Sequence, residues 1–120
     1  MAMDLDGNVY LTGPGSENYA ASGVDYVTIK YFVNTYEPVM LSHEGYDGPG
    51  LGTDQSCGFA AWRDPVTGRY FIFRDPVTNE DYVTVTGNST RQKTGVPTFE
   101  FATVSYNGAL SQRWVQRFYQ

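Results

Sequence analysis

Polar and apolar residues alternate along this chain in short runs separated by turn residues. Over DYVTIKY, residues 25–31, Val27, Ile29 and Tyr31 fall on one side of an extended backbone, and Tyr26 and Thr28 on the other. EFATVSY, residues 100–106, repeats the pattern 75 residues later: Ala102, Val104 and Tyr106 take the matching places, while Phe101 and Thr103 face the other way. VYLTG at 9–13 likewise returns as VTVTG at 83–87, an offset of 74. Two phrases in the same order with nearly the same spacing mark an internal repeat. Between its phrases each copy carries a polar, glycine-containing stretch, PGSENYAASGV and NSTRQKTGVPT, which reads as a loop.

A shorter echo sits in the middle of the chain, where RDPVT at 63–67 recurs at 74–78. Asp-Pro followed by Thr-Gly or Thr-Asn is turn chemistry: proline presets φ, and Gly68 and Asn79 tolerate positive φ. The RYFIF between the two turns is apolar and aromatic on successive residues, which predicts a strand covered on both faces, and FEFATV reads the same way. The pattern predicts eight strands, at 8–13, 25–32, 38–43, 57–63, 69–74, 81–87, 99–106 and 112–119. Turn signals separate most of them, notably GPGLG at 48–52 and Asn107-Gly108. No stretch has the period of an amphipathic helix, so the expected fold class is all-β and antiparallel.

Composition agrees. Ten Tyr, seven Phe and two Trp stand beside thirteen Gly in 120 residues, a balance that favours strands and turns. The length suits a single domain, 1–120. The net charge of −5 argues against a nucleic-acid partner. Residues 1–60 carry −7 and residues 61–120 carry +2, so unlike halves of two copies would attract. The lone Cys57 excludes an intrachain disulfide and a zinc framework, and is expected to be a buried small hydrophobe. No apolar run approaches 18 residues, so no membrane-spanning helix is expected, and MAMDLDG lacks the features of a signal peptide.

The candidate chemistry is sparse. Asp4, Asp6 and Asn8 alternate like the start of a calcium loop, but strand-forming residues follow where a bidentate carboxylate belongs. Asp6-Gly7 is a hairpin signal in its own right, so a tight turn is expected and no metal. His43 is the single histidine, and no Ser–His–Asp set can be assembled from sequence order, so no catalytic residue is assigned. Carboxylates such as Glu80-Asp81 leave a small hydrolase as an alternative. No cofactor motif is present.

The phrases GNVYLTG, GVDYVTIKY and YDGPG, and later FEFATVSYNGALSQRWVQRFY, resemble the bacterial β-propeller repeat known as the seven-bladed propeller repeat. The later phrase ends in a Trp-Val-x-Arg-aromatic strand, here Trp114 to Phe118. The resemblance covers about two divergent copies, 4–50 and 75–120, with an inserted strand and turn near 57–74. It implies two blade-like sheets; a β-sandwich or flattened barrel is the alternative. A propeller closes with four to eight blades, so two imply a homo-oligomer or a piece of a larger ring. Family members are usually long and extracellular or envelope-associated. The functional expectation is a binding or structural domain that takes a carbohydrate or protein ligand. Trp62, Tyr70, Trp114 and Tyr119 would offer faces for sugar rings, and Arg117 would donate hydrogen bonds to hydroxyls. The plainer expectation is that these aromatics pack between sheets.

Overall fold

The computed structural model describes residues 1–15, 24–33, 37–46, 54–93 and 96–118, with backbone only at 55 and 90–99. Ten strands follow one another: β1 (Ala2–Met3), β2 (Asn8–Gly15), β3 (Asp25–Val33), β4 (Pro38–Tyr46), β5 (Asp54–Phe59), β6 (Ala61–Arg63), β7 (Tyr70–Arg74), β8 (Asp81–Lys93), β9 (Val96–Tyr106) and β10 (Gln112–Phe118). The described residues contain no helix, so the fold is all-β. The strands form one strongly curled sheet, a half-barrel, in the order β10-β9-β8-β7-β1-β2-β3-β4, with β5 added to β8 and β6 to β7. Among the described residues every strand pairing is antiparallel except β1 with β7.

The matched phrases occupy matched ladder positions. In β2–β3, Val9 lies opposite Tyr31, Leu11 opposite Ile29 and Gly13 opposite Val27. In β8–β9, Val83 lies opposite Tyr106, Val85 opposite Val104 and Gly87 opposite Ala102. The third strand continues the match. The β3–β4 ladder shifts register between Lys30 and Tyr31, and the β9–β10 ladder shifts between the positions opposite Tyr106 and Ser105. Both meanders therefore carry a bulge at the same place, which adds local twist.

The two meanders join through the parallel β1–β7 contact. Because β1 and β7 run parallel and each unit's strand order runs outward from them in opposite directions, matched strands keep their direction but turn opposite faces to the inside of the curl. The burial pattern records this reversal. In the first unit Tyr10, Tyr26 and Thr28 are buried, while Val27, Ile29 and Tyr31 are only partly covered. In the second, Val83, Val85, Ala102, Val104 and Tyr106 are buried, and Phe101 is 61% exposed. The period-two alternation holds in both copies, but opposite faces form the core. That core joins Tyr10, Tyr26 and Tyr46 to Ile72, Val83, Val85, Val104, Tyr106 and Leu110. Each aliphatic side chain among them contributes about 1.5–3 kcal/mol on burial.

Both RDPVT turns close alike. Asp64 N–H donates to Arg69 O and Gly68 N–H to Asp64 O; Asp75 N–H donates to Glu80 O and Asn79 N–H to Asp75 O. The closing residues have positive φ, 74° at Gly68 and 59° at Asn79, as the turn chemistry requires.

Several expectations are corrected. The stretch 57–63 is two strands: Ala60 N–H bonds Thr84 O, and there the chain leaves β8 for β7. Strand β1 carries too little pattern to be read. NSTRQKTGVPT is largely the continuing β8–β9 hairpin, because a main-chain ladder does not depend on apolar composition. In RYFIF only Ile72 is buried, and Tyr70 and Phe73 are exposed, so the strand is covered on one face. FEFATV is likewise open at Phe101. Cys57 is exposed: it is the extra residue where the β5–β8 register shifts between Ser56 and Gly58, and the bulge turns it outward. GPGLG and Tyr119 lie outside the described residues.

Candidate functional site

The opening DLDGN folds as a closed turn. Asp4 is buried at the end of β1, and its carboxylate accepts from the backbone N–H of Asp6 and Asn8 at 2.9 Å, from Asn8 Nδ2 at 2.8 Å and from Tyr10 Oη at 3.1 Å. Gly7 takes φ 89°, which favours glycine. Carboxylate oxygens of Asp4, Asp6 and Asp81 come within 4.8 Å of one another. Arg74 supplies positive charge there, donating through Nε to Asp81 and through an Nη to Asp6, both at 2.7 Å. These hydrogen bonds, Asp81 foremost, raise the pKa of Arg74 against the opposing effect of burial. Burial first, then the charge of Asp4, pushes the Tyr10 hydroxyl well above the usual tyrosine range.

A second polar cluster lies between the units. Arg117 on β10 donates through Nε to Glu100 at 2.7 Å, through Nη1 to Tyr46 Oη at 2.5 Å and through Nη2 to Ser89 Oγ at 2.9 Å. Ser89 Oγ in turn donates to Asp54. Asp54, Ser89 and Glu100 are all buried. Burial works against the charge of Arg117, but its hydrogen bonds to Glu100 and Tyr46 outweigh it and hold the pKa up. The cluster ties β4, β5, β8, β9 and β10 together and spends the guanidinium's donors on the protein. Sequence order gave no sign of Asp54, Ser89 or Glu100, because residues 35 and 17 positions apart meet only when the strands pair.

The remaining aromatic candidates are dispersed over the surface. Trp62 on β6 stacks on Phe71 of β7 with centroids 4.9 Å apart. Tyr70, opposite Arg63 on the same hairpin, is exposed. Trp114 is exposed on β10, opposite Ser105.

The sheet's two outward surfaces differ in character. On β2–β4 it is aliphatic: Val9, Leu11, Tyr31, Val33 and Pro38, with Met1, line an open groove of about 280 Å³. On β8–β10 it bears hydroxyls and aromatics. Thr86 pairs with Thr103 on this surface, and the half-buried Thr84 with the buried Ser105 at its edge, each at 3.2 Å. Beside them Phe101 lies opposite Phe118, 61% and 62% exposed. At the equivalent ladder positions of the first unit, Tyr26 lies opposite Tyr46, their rings edge to face at 5.3 Å and buried. The hydroxyl pair Thr86–Thr103 likewise has a counterpart in Thr12–Thr28 at 3.1 Å, where Thr12 also donates to Ser56 of β5 at 2.8 Å.

No model of a known family, no curated protein and no solved structure matches this chain.

Proposed function

We propose that this chain is a non-enzymatic β module of propeller-repeat type that self-assembles, with a structural or binding role. The observation that carries the reading is the aliphatic surface of β2–β4, where Leu11, Val33 and Met40 stand exposed on the face that holds the groove. A contiguous apolar surface of this kind marks an interaction site. The blade reading is supported by two four-stranded meanders, β1–β4 and β7–β10, that match in register and bulge and meet at parallel first strands. The carboxylates support a non-enzymatic reading over a small hydrolase: Asp4 is held by its own turn, and Asp81, Glu80 and Glu100 each pair with an arginine. Apolar burial provides most of the attraction; the −7 and +2 halves add a contribution screened beyond about 8 Å at physiological salt. Light scattering at micromolar concentration is expected to report a mass of at least two chains. A reversible monomer of 13.4 kDa would refute the reading.

A further inference from the structure

The two units pack on each other through unlike faces. One face is aliphatic: Val9, Leu11, Val27 and Ile29 in the first unit, Val83, Val85, Ala102 and Val104 in the second. The other carries hydroxyls and an aromatic: Tyr10, Thr12, Tyr26 and Thr28 in the first, Thr84, Thr86, Phe101 and Thr103 in the second. Within the chain, the hydroxyl face of the first unit meets the aliphatic face of the second. Tyr26 Oη reaches Ala102 O at 3.2 Å, and Tyr10 Oη and Lys30 Nζ both reach Gly108 O, at 3.3 and 2.8 Å. Because the units meet at parallel first strands and turn opposite faces inward, each chain turns one face of each kind outward. Among the described residues, no strand packs over the aliphatic face of the first unit at Leu11 or over the hydroxyl face of the second at Phe101 and Thr86, which stand exposed.

From this we infer that a second copy of the chain covers these faces, and that the contact between copies repeats the contact inside one. The inference rests on the self-assembly proposed above and specifies its surfaces. The β8–β10 face of one copy seats on the β2–β4 face of the next. Phe101, standing where Tyr26 stands, packs over Val27 of the neighbouring copy, which stands where Ala102 stands. Phe118 takes the place of Tyr46. Tyr26 and Tyr46 carry hydroxyls that bond Ala102 O and Arg117 inside the chain. Phenylalanine at both outer positions removes those hydroxyls, and Gly45, the counterpart of Arg117, offers no donor in any case. Charge favours the same polarity, since the acidic first half of one copy meets the basic second half of another. Such a contact is heterologous, joining two different surfaces, and it extends from copy to copy.

The test uses two variants of the full chain, Leu11→Glu on the aliphatic face and Phe101→Glu on the hydroxyl face, measured by light scattering. Each alone is expected to be a monomer, because every contact needs both faces. Mixed in equal amounts they are expected to form a dimer of twice the single-chain mass and no larger species, because one intact pair of faces remains. Recovery of the dimer also shows that both variants are folded. If circular dichroism shows that either Glu variant is unfolded, Leu11→Thr and Phe101→Thr, which suit a strand, are expected to shift dissociation to higher concentration. Assembly of either Glu variant to the wild-type mass, or two folded monomers that do not pair on mixing, overturns the face assignment while self-assembly stands. A monomeric wild-type chain overturns both.

Discussion

Arg117 was a candidate for ligand hydroxyls, and the structure gives a specific reason to expect a different role. Replacing it with methionine removes the cation that serves Glu100, whose side chain is 2% exposed, at 2.6 Å. The same change takes a donor from Ser89, which bonds the buried Asp54, and from Tyr46 Oη. Truncating one partner of a buried pair typically costs about 3–5 kcal/mol, because a charge is left in the interior without compensation. Domains of this kind have about 5–15 kcal/mol in total. In urea, with a slope of about 1–3 kcal/mol per molar, the midpoint of Arg117→Met is expected to fall by on the order of 2 M. The double variant Arg117→Met, Glu100→Leu is expected to be more stable than Arg117→Met alone, since it no longer buries the Glu100 carboxylate. A loss below about 1 kcal/mol for Arg117→Met, the range of an exposed surface pair, would refute the reasoning and return Arg117 to the surface.

Three further outcomes are expected. Tyr10, Tyr26 and Tyr46 have pKa values raised chiefly by burial. Their contribution is therefore complete below about pH 10 and is lost above it, where the unfolded chain ionises first. Tyr10 and Tyr26 together predict a fall that approaches about 3 kcal/mol per pH unit above pH 10, to which Tyr46 adds, measurable by urea titration alongside tyrosinate absorbance; flat stability to pH 11 would contradict it. At Asn79, φ 59°, Asn79→Ala is expected to cost about 1 kcal/mol and Asn79→Gly to be nearly neutral, by analogy with Gly68 in the matching turn; equal effects in thermal melts would remove the conformational argument. Millimolar calcium is expected to leave the melting temperature unchanged, because the Asp4 carboxylate already accepts four hydrogen bonds. A site of micromolar affinity would add about 4 kcal/mol and raise it visibly.

Local pattern determined a large part of this protein. The alternation of DYVTIKY and EFATVSY is a property of extended backbone, so it identified β3 and β9 and sorted their residues into two faces. Asp-Pro followed by Thr-Gly or Thr-Asn fixed two turns, including the residues that take positive φ, because that preference is built into each residue. Offsets of 74 and 75 aligned the two hairpins residue by residue, since a repeated phrase pairs in a repeated register. Which face lies inside was beyond the sequence. Val27 and Ala102 are matched, yet one is partly exposed and the other buried, because burial depends on which side of a strand the rest of the molecule occupies. The parallel contact of β1 with β7 decided this by turning the second unit over relative to the first. The pairing of β5, β8, β9 and β10 brought Asp54, Ser89, Glu100 and Arg117 together and left Cys57 outside, on a bulge that local composition does not encode. Alternation specifies two faces of a strand; only tertiary packing chooses between them.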